Sequence, residues 1–197
     1  MVVNRLRRRL DRAQWQITIV DQDDRHVYQP GLLFIPFGTH RPDKMIKPRT
    51  RFIPAGVELV LGDIDRIDPE SRIVRLSDGT ALPYHYLVIA TGTSPRPDQT
   101  PGMLGPHWRR SIFDFYSYDG AVALAGALRT FPGGRLVVHI VDMPIKCPVA
   151  PLEFAFLADW HLRERGIRNR SELVYATPLD GAFTKPIASK HLTYLLE

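Results

Sequence analysis

Apolar residues recur at helical spacing at the start of the chain, at Val2, Val3, Leu6 and Leu10, with Arg5, Arg7, Arg8 and Arg9 between them. That period predicts an amphipathic helix with a solvated basic face. The pattern then shortens. Gln16 to Val20 is β-branched and ends on Asp21, which reads as a buried strand. From Gln22 to Pro54 no period is sustained and Pro, Gly and aromatic residues are dense, so the stretch reads as loop with short helical turns. Val57 to Leu61, Ile64 to Ile67 and Arg72 to Leu76 read as strands. Asp68-Pro69 and Asp78-Gly79 supply turn chemistry for a small antiparallel meander. Tyr86 to Ala90 is almost wholly apolar and predicts a strand covered on both faces, central in its sheet, that runs into Thr91-Gly92.

Four prolines and two glycines between Ser94 and Pro106 mark a crossing. They divide the chain into residues 1–105 and 106–197. Beyond them, Asp119 to Arg129 is a small-residue helix stopped by Pro132-Gly133-Gly134, and Arg135 to Val141 is a second buried strand. Leu152 to Arg165 is helical, with Phe154, Leu157, Ala158, His161 and Leu162 on one face and Gly166 as its C-terminal cap. Glu172 to Ala176 is the following strand. Strands alternating with helices in this way give the fold class α/β.

Composition narrows the function classes. The 197 residues are 44% apolar, ordinary for a globular protein with a core. Apolar runs such as Leu136 to Val141 fall far short of the roughly 20 residues that span a bilayer. Gln14 and Gln16 interrupt what would have to be a signal core, so the chain reads as intracellular, cytoplasmic or peripheral on the cytoplasmic membrane. A formal charge of +5, concentrated in Arg5, Arg7, Arg8, Arg9 and Arg12, suits an anionic cofactor, an anionic lipid surface or a nucleic acid. The usual fate of such a run is a solvated face, so nucleic acid is not the expected partner. The seven histidines are scattered without metal-ligand spacing, and no GxSxG turn occurs.

The single cysteine, Cys147, lies in Val141-Asp142-Met143-Pro144-Ile145-Lys146-Cys147-Pro148-Val149-Ala150-Pro151-Leu152-Glu153-Phe154, between a strand and a helix. In open α/β sheets, that crossover at the C-terminal end of a strand is where ligands bind. A nicotinamide dinucleotide site needs glycines there so that backbone amides can approach the pyrophosphate. Prolines remove amide donors and stiffen the turn, which argues against such a site. A helix N-terminus and the adjacent Lys146 both favour thiolate over thiol. A small, inert packing residue is an equally open reading of Cys147.

The element order, a helix, a strand ending in an acid, a meander and a strand ending in Ala-Thr-Gly, resembles the FAD-binding domain of two-dinucleotide-binding-domain (Rossmann-like) flavoproteins. Lys146 to Phe154, followed by Phe183-Thr184-Lys185-Pro186, is similar to the sulfide:quinone oxidoreductase and flavocytochrome c sulfide dehydrogenase family. The resemblance implies FAD as cofactor, sulfide as donor and quinone as acceptor. It also implies that Asp21 meets the ribose hydroxyls, that the Ile64 backbone meets the adenine, and that Thr91 and Gly92 pass close to the cofactor. Cys147 matches a redox cysteine that carries sulfur and passes electrons to the flavin, and Glu153 matches an acid on the next helix. The loop from His26 to Gly31 is a further candidate lining, with Tyr28 either facing the flavin or packing. The same resemblance places a first strand and GxGxxG turn before Met1. It places a second redox cysteine, a later flavin-contacting segment and a membrane-docking C-terminus beyond Glu197, so the chain is expected to be an incomplete flavoprotein, truncated at both ends. An NADH:quinone-type flavin dehydrogenase and a non-catalytic module that binds an anionic partner are the alternatives.

Overall fold

The computed structural model describes residues 2–196; Met1 and Glu197, where the expected truncations fall, lie outside the described residues. In chain order the elements are α1 (Val2–Arg9), β1 (Thr18–Asp21), β2 (Arg25–Val27), α2 (Pro42–Met45), β3 (Ile46–Pro48), β4 (Glu58–Leu61), β5 (Ile64–Asp68), β6 (Ile73–Leu76) and β7 (Ala81–Pro83). There follow α3 (Tyr118–Thr130), β8 (Gly134–His139), α4 (Ala150–Glu164), β9 (Ser171–Ala176) and α5 (Pro186–Leu192). A 3-10 segment, Gln29–Phe37, precedes α2. The mixture is α/β, as the alternating pattern predicts.

Two compact units divide the chain: Met1–Val27 with Ile46–Gly92, and Tyr28–Met45 with Thr93–Glu197. This division crosses at residues 92 and 93 instead of 105 and 106, and it gives the segment Tyr28–Met45 to the second unit. The cause is burial. Leu32, Leu33, Ile35 and Phe37 of the 3-10 segment are buried, and Leu33 and Phe37 share a cluster with Leu124, Leu128, Val138 and Phe154.

In the first unit β1 pairs with β4 in parallel, from Thr18 opposite Glu58 to Asp21 opposite Leu61. The side chains of Gln16 and Thr18 both donate to the Glu58 carboxylate at 3.0 Å. The expected meander forms as β5-β6-β7. Its turns are held by carboxylates: Asp68 Oδ1 accepts from the Glu70 and Ser71 amides, and Asp78 Oδ1 accepts from the Thr80 amide. Gly79 supplies the left-handed residue of the second turn, at φ +90°. The antiparallel pair β2-β3 arises inside the stretch read as loop, because three residues on each side are too few to show a period.

Four further expectations need correction. β1 is not a buried strand, because Thr18 is exposed and Ile19, Val20 and Asp21 are only half-buried. The basic face of α1 is not uniformly solvated: Arg7 is buried, and its guanidinium donates to the carbonyls of Leu10 and Trp15. Tyr86 to Ala90 is neither a strand nor central; it has no regular structure, and Tyr86, Val88 and Ile89 are 80%, 60% and 66% exposed. Apolar composition signals a drive to be covered, yet a strand also needs a ladder partner, and among the described residues this run has none. In the second unit, among the described residues, β8 pairs only with β9, in parallel register from Gly134 opposite Ser171 to His139 opposite Ala176. Consequently Val138 is buried while Val137 and Val141 are exposed, so β8 is not buried throughout.

Helix α3 begins at Ser117, whose hydroxyl accepts from the Gly120 amide at 3.1 Å. Helix α4 buries Phe154, Ala158 and Leu162 of the predicted face, together with Ala155, while Leu157 and His161 of that face are half-buried. Gly166 follows it at φ +65°, and its amide donates to the Arg163 carbonyl, the left-handed closure that glycine permits.

Candidate functional site

The first unit carries four of the expected site residues. Asp21 ends β1, and Gly62, just past β4, donates its amide to the Asp21 carbonyl at 2.9 Å. The C-terminal ends of two paired parallel strands therefore lie side by side, with Ile64 two residues beyond Gly62. Ile64 opens β5 opposite Leu76 and is 39% exposed. A Cβ at Gly62 would sit 3.0 Å from Leu76 Cδ1, a tight contact with the end of a flexible side chain. Thr91 and Gly92 are exposed, and Gly92 has φ +76° with open space where a side chain would be. A ligand backbone can approach it at no steric cost.

The Asp21 carboxylate is already engaged. Oδ2 pairs with Arg49 Nη2 at 2.9 Å, and Oδ1 accepts from the Gln22 amide at 2.9 Å. A carboxylate offers about four acceptor sites, so roughly two remain for hydroxyl donors. The residues present thus fit the ribose end of a dinucleotide. Arg49 was missed in the sequence: its Nη2 also reaches the Arg25 carbonyl at 2.9 Å, and its Nε reaches the Asp23 carbonyl at 3.4 Å. One guanidinium so ties down the whole turn after Asp21. No motif marks it, because two of its three partners are backbone carbonyls and all lie at or just after Asp21, far from Arg49 in sequence.

The second unit carries Cys147. The crossover from β8 to α4 is irregular between Ile140 and Val149, and Cys147 is exposed and free. Its backbone is left-handed, φ +52°, a conformation that costs a non-glycine residue roughly 1–2 kcal/mol. Something must hold it. The Cys147 carbonyl accepts two hydrogen bonds, from the Ala150 amide at 3.0 Å and from Tyr116 Oη at 3.2 Å. Lys146 is turned aside, its ammonium donating to Gln29 Oε1 at 2.5 Å. Pro151 lies in the first turn of α4, as expected, and Val149 provides no side-chain cap. Glu153, in the same turn, is exposed.

Tyr116 is the second residue that sequence reasoning missed. It is half-buried, and its ring stacks on Phe115 at 4.9 Å; Phe115 in turn stacks on Phe154 of α4 at 4.8 Å and 11°. Burial, then the charges of Cys147, Tyr175 and Glu153, hold its phenol well above the ordinary tyrosine range, so the proton stays on the oxygen. A spacing rule could not reveal it, since 31 residues separate it from Cys147. Tyr28 is 54% exposed and lies against Gly31, where an added Cβ would meet its ring. The segment Phe183 to Pro186 leads into α5, and Phe183 and Thr184 line a shallow cavity with Leu179, Asp180, Ser189 and Lys190. Among the described residues no cluster of His, Cys, Asp and Glu is suited to a metal, and no helix is long and apolar enough to cross a membrane.

The sequence model of the pyridine nucleotide-disulphide oxidoreductase family matches residues 4–138. A mitochondrial sulfide:quinone oxidoreductase from Dictyostelium discoideum is 29% identical over 158 residues, covering 80% of this chain and 35% of that protein. An NADH dehydrogenase-like protein from Mycobacterium tuberculosis is 36% identical over 83 residues, covering 42% of this chain and 20% of its own length. The solved sulfide:quinone oxidoreductase from Aquifex aeolicus superposes with a TM-score of 0.73 at 20% identity, over 93% of this chain and 43% of that one. The chain thus spans well under half the length of the proteins it matches.

Proposed function

Because the chain belongs to the pyridine nucleotide-disulphide oxidoreductase family, we propose that it is part of an FAD-dependent sulfide:quinone oxidoreductase in which Cys147 carries the sulfur. The observation that supports this reading most is an exposed thiol on a proline-rich crossover at the C-terminal end of a parallel strand, where a nicotinamide site would have glycines. The likeness to proteins named for that activity agrees with it.

Asp21, Ile64, Thr91 and Gly92 hold the dinucleotide: the carboxylate takes the ribose hydroxyls, the Ile64 backbone meets the adenine, and Gly92 lets the backbone come close. These residues fall in the part before residue 105 and Cys147 in the part after it. FAD, when bound, supplies a two-electron acceptor that returns to its oxidised state by reducing quinone. At Cys147 a sulfur–sulfur bond forms between Sγ and sulfide, which releases two electrons and two protons; the quinone takes up both. Exposure of Cys147 gives a small dissolved donor access to Sγ, and the prolines at 144, 148 and 151 limit the loop's freedom, so less order has to be gained at the moment of reaction. The complete protein works against a membrane that holds the quinone.

The test is direct. The full-length protein, freed of unbound FAD, is expected to keep a flavin spectrum. A full-length protein that stays colourless withdraws the cofactor assignment. In the full-length protein Cys147→Ser is expected to abolish sulfide-dependent quinone reduction, and an unchanged rate makes the cysteine structural. The similarity to an NADH dehydrogenase-like protein favours a second reading, an NADH:quinone dehydrogenase, which rapid reduction of the flavin by NADH would select.

A further inference from the structure

We propose that Tyr116 is a positioning residue for Cys147: its hydroxyl clamps the Cys147 carbonyl and so keeps the thiol on its exposed, left-handed backbone. The inference rests on reading Cys147 as the sulfur-carrying residue.

Three features support the clamp. First, the donor comes from a rigid turn. Asp114 Oδ1 accepts from the Ser117 amide at 2.7 Å, Asp114 Oδ2 accepts from the Ser117 hydroxyl at 3.1 Å, and that hydroxyl caps α3. Tyr116 sits between Phe115 and Ser117 and has little room to follow a moving loop. Second, the aromatic stack of Tyr116, Phe115 and Phe154 reaches α4, the helix that Cys147 leads into. Donor and acceptor are therefore carried on one packed body. Third, the phenol keeps its proton, because burial and the neighbouring charges oppose ionisation. It remains a donor even when the thiol is ionised, which is the state that reacts.

An ordinary residue freed from such a clamp leaves the left-handed region for right-handed or extended backbone. Rotation about the Cys147 backbone would swing Sγ to another direction. The Ala150 amide alone then holds the carbonyl, at a point where the helix is only beginning.

The chain has one cysteine, so selective 13C labelling of cysteine gives a single carbonyl and a single Cα resonance. Tyr116→Phe removes the donor and keeps the ring stack. The expected result is an upfield move of the Cys147 carbonyl, a Cα shift towards ordinary backbone, and alkylation by iodoacetamide slowed roughly two- to tenfold, the weight of one net hydrogen bond. The melting temperature is expected to hold. Unmoved resonances overturn the proposal, whether or not the alkylation rate changes, because altered access without a released carbonyl is not a clamp. If the variant does not fold, the unmutated chain decides: a Cys147 Cα shift at its random-coil value overturns the clamp, and a left-handed shift with a downfield carbonyl supports it. A full-length protein that forms no sulfur–sulfur bond at Cys147 removes the sulfur-carrying reading and leaves the clamp measurements standing.

Discussion

Arg49→Met removes the guanidinium that ties the turn after Asp21 and retains most of the aliphatic stem. In the folded protein that group pairs with Asp21 at 2.9 Å, the two side chains being 25% and 34% exposed. It also donates to the Arg25 carbonyl at 2.9 Å and makes a marginal contact with the Asp23 carbonyl at 3.4 Å. Partial exposure limits the ion pair to about 0.5–1 kcal/mol. A charged donor to a carbonyl contributes about 1.5 kcal/mol, and the long contact adds little. The expected loss is therefore about 2 kcal/mol, roughly thirtyfold in the folding equilibrium. Trp15 is the tryptophan of the first unit, its ring 5.7 Å from that of Tyr86, so a Trp108→Phe, Trp160→Phe background makes fluorescence report on that unit. Urea titration in that background, with and without Arg49→Met, gives the difference. In 1 M salt, where screening acts over about 3 Å, the ion-pair share shrinks and about 1.5 kcal/mol is expected to persist. A loss below about 0.5 kcal/mol in low salt would refute the reasoning, because that is what an exposed pair alone gives.

The second unit offers two further checks. Phe154 is 4% exposed between Phe37 and Phe115, with ring centroids at 5.0 and 4.8 Å, so Phe154→Ala is expected to cost about 3–5 kcal/mol in urea unfolding. Phe154→Leu, which keeps most of the volume and loses both ring pairs, should cost less than roughly 2 kcal/mol; equal losses would mean that the lost ring pairs, and not the cavity, set the cost. His161 lies against Phe37, and burial, then the charge of Arg165, hold its pKa below the ordinary 6.5. The folded state therefore resists protonation more than the unfolded state does. The stability contributed is fully present above pH 6.5 and is lost as pH falls through the lowered folded value. His161→Gln is expected to flatten that acid limb of the urea midpoint; an unchanged limb assigns it to another group.

What the sequence carried, it carried where one element suffices to explain the pattern. The apolar face of α4 follows from its own period, and the meander follows from two turns whose carboxylates bind amides two or three residues away. These are local facts. The residues that fix the candidate site are not local. Arg49 reaches Asp21 and Arg25 across 28 and 24 positions, and Tyr116 reaches Cys147 across 31. Both bind through backbone carbonyls or a partner in an irregular turn, so neither leaves a trace in hydrophobic period or motif spacing.

Tyr86 to Ala90 marks the other limit. Five apolar or aromatic residues, three of them (Tyr86, Val88 and Ile89) of strong β preference, state that the run favours cover, and they say nothing about what provides it. In the first unit the run is exposed, with Trp15 tilted against Tyr86 and no ladder beside it. Cys147 shows the converse. Its sequence left packing and reactivity equally open, and the structure adds that the thiol is exposed. With that comes a requirement: a left-handed cysteine needs an external hold, and Tyr116, protonated, rigidly mounted and stacked onto the helix that follows, is built to give it.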